Sequence, residues 1–366
     1  MRLARVLVSV LLVSLPALAG SSISDELSVG STQSTQENPR AGSVSDSLNA
    51  NFELSDQFSL AAGAVLTLEG ATPAPARRQF STNGSAITLF SLGLDWDPND
   101  HVSTGVVLDF SPASDQQIGT QLTVTDANNT TQPLSVLLGA KSSNSAIAFD
   151  VGYDTAGESD LEWSFTAGAT ASHYTTTQKL DQAYLRDTGN PYDPAQIRTY
   201  CAAHRKGKGA CSAAIYQVLK GQEATLDSVR GSVVLTSTIS TDTDLSLGGD
   251  LYAYSQDPGT VGIFSVGNTG RQTISGGAGV PIAPLRYTVR PEVLHRFGDL
   301  SVKLWVQAGE YASGTAQTTA GLGAKVQYKF SKTFKMWVTA GGQKDVDSTG
   351  TDSNSGSLAL GAGYRF

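Results

Sequence analysis

The sequence predicts an all-β protein: a transmembrane, antiparallel, up-and-down β-barrel of roughly sixteen strands (about 14–18) with long extracellular loops. Three observations predict it. A secretory leader opens the chain, long segments alternate apolar and polar residues, and the links between them alternate between short and long.

The leader has a basic start, Arg2 and Arg5, and then an apolar run from Val6 to Leu15 broken only by Ser9 and Ser14. Ala17-Leu18-Ala19 follows as a small-x-small cleavage pattern. The run is too short for a membrane anchor, and no cysteine follows to mark a lipoprotein. The predicted organisation is a signal peptide over 1–19 and a mature barrel over 20–366, with an extracellular insertion over 177–225.

Composition narrows the class. The 366 residues are 40% hydrophobic and 16% charged, too apolar for a disordered chain. Beyond the leader no uncharged apolar run approaches the ~20 residues of a spanning helix. The formal net charge of −8 argues against a nucleic-acid partner.

The strand signal is clearest at the C-terminal end. Ala320, Leu322, Ala324, Val326, Tyr328 and Phe330 share one face, and Lys325, Gln327 and Lys329 share the other. Leu358, Leu360, Ala362, Tyr364 and Phe366 repeat the pattern. Phe58 to Leu68 and Leu161 to Ala169 show it earlier in the chain. The segments run about ten to thirteen residues, twice the usual soluble strand and near the length a tilted membrane strand needs. Short polar turns are expected at 55–57, 97–100, 241–244, 268–270 and 331–333. Irregular long links are expected at 71–83, 112–142 and 177–225. Short periplasmic turns and long extracellular loops are the rule for such barrels, which puts both termini in the periplasm.

The C-terminal residues Gly361-Ala362-Gly363-Tyr364-Arg365-Phe366 are similar to the insertion signal of bacterial outer-membrane barrels of the porin-like class. Gly361, Tyr364 and Phe366 carry that resemblance. Ala359 departs from it, standing where the pattern has a polar residue. The resemblance implies a Gram-negative outer membrane with its lipid and lipopolysaccharide, and handling by the barrel assembly machinery.

The face opposite the apolar stripe is expected to line a lumen. In the C-terminal third it carries Arg286, Arg290, Arg296, Lys303, Lys325, Lys329, Lys335 and Arg365, with Glu292 as the only acid. The first part of the mature chain is acidic, with Asp25, Glu26, Glu37, Asp46, Glu53, Asp56, Glu69, Asp95 and Asp97. A basic wall of this kind selects solutes by charge. The functional expectation is passive diffusion of small polar solutes, with some preference for anionic groups. An export barrel, or a structural or adhesive barrel acting through its loops, is the alternative.

Within the insertion, Asp193-Pro194 is a helix start, a capping residue followed by proline. Cys201 and Cys211 enclose a short basic loop, and in an oxidising envelope they are expected to form a disulfide. Arg198, His204, Arg205, Lys206 and Lys208 make this a basic cluster on an acidic protein. The Cys201, His204 and Cys211 spacing matches no zinc pattern, so neither metal nor cofactor is expected. No nucleophile elbow or phosphate loop is present, and the expectation is a protein that is not an enzyme. Some outer-membrane barrels are hydrolases with a histidine near the rim; His173, at the outer end of a strand with Thr and Ser residues around it, reads as a bystander rather than a catalytic base.

Overall fold

The computed structural model describes residues 21–34, 41–69, 85–125, 131–155, 162–185, 190–203, 219, 221–256, 285–312, 316–347 and 352–366. The leader expected over 1–19 lies outside these residues. Seven strands make the first half of the barrel wall. They are β1 (Ser22–Ser34), β2 (Ala41–Ser55), β3 (Phe58–Glu69), β4 (Ser85–Asn99), β5 (Val102–Thr125), β6 (Thr131–Asp154) and β7 (Glu162–Leu185). A two-residue strand β8 (Pro191–Tyr192) and the helix α1 (Pro194–Ala203) belong to the insertion. The wall resumes with β9 (Gln222–Ser240), β10 (Thr243–Tyr254), β11 (Leu285–Phe297) and β12 (Leu300–Tyr311). It ends with β13 (Ala316–Lys329), β14 (Phe334–Asp347) and β15 (Asp352–Arg365).

Each wall strand pairs antiparallel with its neighbours, and β1 pairs with β15 from Ser22↔Arg365 to Ser34↔Ser353. β8 adds only to the outer end of β7, so the closed wall has fourteen strands, not sixteen. Two departures from the expected walk account for the difference. β10 pairs directly with β11, Leu251 opposite Tyr287, so the turn expected at 268–270 cannot join wall strands; it lies outside the described residues. The link expected at 112–142 is instead a continuation of β5 and β6, each of 24 residues and paired as far as Thr125↔Thr131. Polar sequence there does not interrupt the ladder, because beyond the membrane water satisfies both faces of a hairpin.

Closure is what makes these strands stable in lipid. Every backbone N–H and C=O inside the bilayer needs a partner, and a closed sheet leaves no unpaired edge. The apolar face points outward: Leu92, Leu108, Phe149, Leu247, Leu322 and Leu360 are each at least half exposed to the surroundings. In a soluble protein such a surface would be a liability; here it is the lipid contact. The inward face carries Ser, Thr, Gly and charged residues.

The short turns at 56–57, 100–101, 241–242, 298–299 and 331–333 share one rim with Ser21 and Phe366. Gly298 has φ of +63°, the left-handed conformation that its two-residue hairpin turn requires. Aromatic pairs mark this rim: Phe58 on Trp96, Tyr153 on Trp163, Tyr328 on Phe330 and Tyr364 on Phe366. Amphipathic rings favour the headgroup level, so these pairs form an aromatic girdle at one membrane interface.

At the other rim the link expected over 177–225 is strand at both ends, since β7 runs to Leu185 and pairs with β9 as far as Gln178↔Gln222; the helix start expected at Asp193-Pro194 is present. The Asp193 carboxylate accepts from the Ala195 N–H at 2.8 Å, capping α1 behind Pro194. The largest side chains buried to below 2% exposure among the described residues are Leu134, Ile197 and Leu226, at the ends of β6 and β9 away from the short turns and in α1. Hydrophobic packing is therefore concentrated beyond the membrane. Arg198 is exposed on α1. His204, Arg205, Lys206, Lys208 and Cys211 lie outside the described residues, as does the Cys201 side chain, and with them the expected disulfide.

Candidate functional site

Pleating sends Arg290, Glu292 and Arg296 of β11, Lys303 and Trp305 of β12, Lys325 of β13, and Lys335 and Trp337 of β14 into the lumen. Their neighbours Val289, Leu304, Val326 and Val338 point out. The two tryptophans were read as part of no site in the sequence, yet they organise this one. Trp305 stands opposite Gly323 and Trp337 opposite Gly361. In each case a Cβ on the glycine would fall inside the indole, so the ring rests on the bare backbone of the next strand.

Cations then cover the rings. The Arg290 guanidinium lies 5.0 Å from the centre of Trp305, and the Lys325 and Lys335 ammonium groups lie 4.6 and 5.9 Å from that of Trp337. Glu292 forms an ion pair with Arg290 at 2.7 Å and a second one with Lys303. Arg296 is paired with Asp244 of β10 at 2.5 Å, and Arg365 with Glu53 of β2 at 3.1 Å. Arg290, Arg296 and Lys303 each keep about two-fifths of their side-chain surface accessible, so they border open space.

Two parts of the expected basic wall are different in the structure. The register shifts between Leu285 and Tyr287, so Arg286 falls in a bulge and alternation no longer fixes its direction. It pairs at 3.0 Å with Glu310, which sits in the outward row beside Val306 and Ala308. Arg286 is thus not continuous with Arg290. Glu292 is also not the only acid on the lumen face of these strands. Asp345 of β14 is buried there and accepts from the Tyr311 hydroxyl at 2.8 Å and from Gln343 at 2.8 Å. Several of the expected bases are therefore neutralised, and Lys325, Lys329 and Lys335 carry no ion pair among the described residues.

The acidic side is reorganised too. Asp25 and Asp46 stand in outward rows, opposite Leu48 and Leu66. Glu26, Glu53 and Asp95 face the lumen, where they are joined by Asp109 and Asp150. Asp95 and Asp150 converge on Gly105, which is paired to both: a Cβ there would lie 3.0 Å from one carboxylate and 2.7 Å from the other. Ser59 donates to Asp95 at 3.2 Å, and Ser91 donates to Asp109 at 2.6 Å. Asp109 lies between Leu108 and Phe110 and Asp150 between Phe149 and Val151, so the alternation itself could have marked both. Going round the ring, β5 and β13 are seven strands apart in fourteen, so the acidic wall of β4–β6 faces the lysines of β13 and β14 across the lumen.

Closed wall, lipid-facing apolar band, girdle and polar lumen define a transmembrane β-barrel of the bacterial outer-membrane type. The sequence matches no family model and no curated protein. The fold is similar to that of a Pseudomonas aeruginosa FadL homologue, at 12% identity, with 94% of this chain and 89% of that chain covered and a TM-score of 0.54. It is similar also to the Ralstonia pickettii toluene transporter TbuX, at 9% identity over 97% and 92% of the two chains, TM-score 0.54. A mutant of the monoaromatic hydrocarbon channel TodX matches at 8% identity over 97% and 94%, TM-score 0.55. At such identities the likeness is one of fold.

Proposed function

We propose that the barrel is a passive outer-membrane channel for small polar solutes, with a preference for those carrying an anionic group. The observation that carries the reading is the opposition of Asp95, Asp109 and Asp150 to Lys325, Lys329 and Lys335 across the lumen. A transverse field of this kind orders dipolar solutes and lets an anionic end track the lysines. That the similar structures include a toluene transporter and a hydrocarbon channel supports a channel. The hydrocarbons named there fit this chain less well, because the described lumen is charged where a hydrocarbon path would be apolar.

The test is single-channel conductance of the purified protein in planar bilayers, with the reversal potential under a potassium chloride gradient. An anion-biased reversal potential that grows as salt is lowered supports the reading, since screening weakens with dilution. A protein that inserts but does not conduct overturns it.

A further inference from the structure

On the outer surface of the barrel, away from the lumen, β7 and β9 bring an acid, an imidazole and a hydroxyl into line. His173 and Asp227 are direct cross-strand partners in an outward row, and Thr175 is the next outward residue on β7. The His173 Nδ1 lies 2.6 Å from Asp227 Oδ1, and Nε2 lies 3.2 Å from Thr175 Oγ1. A carboxylate only accepts, so Nδ1 carries the imidazole proton and donates it to Asp227. In the neutral ring Nε2 then has a lone pair, and the Thr175 hydroxyl donates to it. This is the connectivity of an activated nucleophile: hydroxyl to base, base to orienting acid.

The level of the site selects its substrate. Below it the outward residues are apolar, Phe165, Ala167, Ala169 and Ala171 on β7 and Val229, Val233 and Leu235 on β9. Above it they are polar, Thr177 on β7 and Thr225 and Glu223 on β9. His173 is about ten residues from Trp163 in the periplasmic girdle, which at the usual rise and tilt is ~25 Å, the height of the apolar band. The groups therefore meet the membrane where the outer leaflet passes into water, at the depth of lipid ester carbonyls. Ser143 and Thr225, the cross-strand neighbours of Thr175, set one more hydroxyl on either side of it. A plain surface ion pair contributes little to stability and gives no reason for a hydroxyl on the second ring nitrogen.

We propose that His173, Asp227 and Thr175 form an acyl-transfer centre acting on carboxylic esters of outer-leaflet lipids. Thr175 Oγ1 attacks the ester carbonyl and forms a C–O bond while its proton passes to His173 Nε2. The ester C–O bond breaks, the proton goes to the departing alcohol oxygen, and the acyl group stays on Thr175. Water, deprotonated by the same nitrogen, then releases the fatty acid and restores the hydroxyl. Ser143 and Thr225, paired with Thr175 on the adjacent strands, supply hydroxyl donors for the carbonyl oxygen as it gains charge. The site is independent of the channel reading, because it uses the lipid face.

Two assays of the purified full-length barrel test it: fatty-acid release from phosphatidylcholine vesicles, and p-nitrophenol release from p-nitrophenyl butyrate dissolved in water. Vesicle hydrolysis is expected to exceed that of the soluble ester, and the reverse identifies a water-borne substrate and overturns the lipid assignment. Thr175→Val and His173→Gln should each lower the rate at least about 100-fold, Asp227→Asn less, and Thr175→Ser should retain it. A fluorophosphonate, which loses fluoride as it forms an O–P bond, should label Thr175 and not Thr177. If the wild type hydrolyses neither ester and takes no label, or if folded Thr175→Val is as active as wild type, the proposal fails.

Discussion

Trp337 donates its indole N–H to Glu26 across an intervening strand, reaching over Gly361 to do so. The three residues form one row of β14, β15 and β1, the seam where the last strand meets the first. Only a glycine in the middle position leaves room for the ring, which a Cβ at Gly361 would overlap. The seam is thus tied by a side chain as well as by its backbone ladder. Gly361→Val should displace the indole and break the Glu26 contact. Overpacking of this kind costs about 1–3 kcal/mol, with the lost hydrogen bond to a charged group in addition. The expected readout is a lower temperature for the heat-induced mobility shift of the folded barrel in gels. Gly356→Val, where nothing but a backbone oxygen at 3.8 Å is close, should leave it nearly unchanged.

The same seam gives the C-terminal residue a role. The Phe366 N–H donates to the Ser21 carbonyl at 2.9 Å, and its ring packs edge-on to Tyr364 at 5.2 Å. Deleting Phe366 should therefore lower the amount of folded protein at the cell surface, measured by surface labelling. Arg365→Ala should lower it much less, because the Arg365–Glu53 pair is exposed and such pairs contribute under about 1 kcal/mol. Equal loss in both variants would remove the terminal aromatic from the assembly argument.

Most of this architecture was legible because the membrane enforces period-two alternation. A charge on the outward face at mid-depth costs roughly 2–4 kcal/mol, so Leu358-Leu360-Ala362-Tyr364 reads as an outward row. Strand count was less legible, since β5 and β6 run on past the bilayer as polar sequence with no signature of their own. Within the site, the side of each cation was legible and its partner was not. Lys303 with Glu292 and Arg296 with Asp244 depend on which strands pair and in what register. Arg286 escaped because a bulge cancels the alternation that the reading relied on.

Topology is tested by labelling. Thr225 and Asn354 stand at the end of the barrel with the long hairpins, Asp242 and Lys332 in turns at the opposite rim. With the native Cys201 and Cys211 replaced, single cysteines at Thr225 and Asn354 should react with an impermeant maleimide on whole cells. Those at Asp242 and Lys332 should react only after the outer membrane is opened. The reverse pattern would invert the orientation, and uniform labelling would contradict a membrane-embedded wall.

The last prediction concerns which lysines set selectivity. Arg290 and Lys303 share Glu292, and Arg296 is matched by Asp244, so these three bases leave a small net charge. Lys329 and Lys335 are different: they are direct cross-strand partners, like charges side by side near the periplasmic mouth. Nothing among the described residues neutralises them, and their field reaches any solute at that level. Lys329→Glu with Lys335→Glu replaces one repulsive pair by another and breaks no ion pair, so assembly should hold. The reversal potential should move from the anion side toward the cation side, with the larger change at low salt. Arg286→Glu is the control, since that residue sits in a bulge against Glu310 and is discontinuous with the wall. An unchanged reversal potential in the double variant at low salt, or an equal shift in the control, would show that these lysines do not govern the passage of ions.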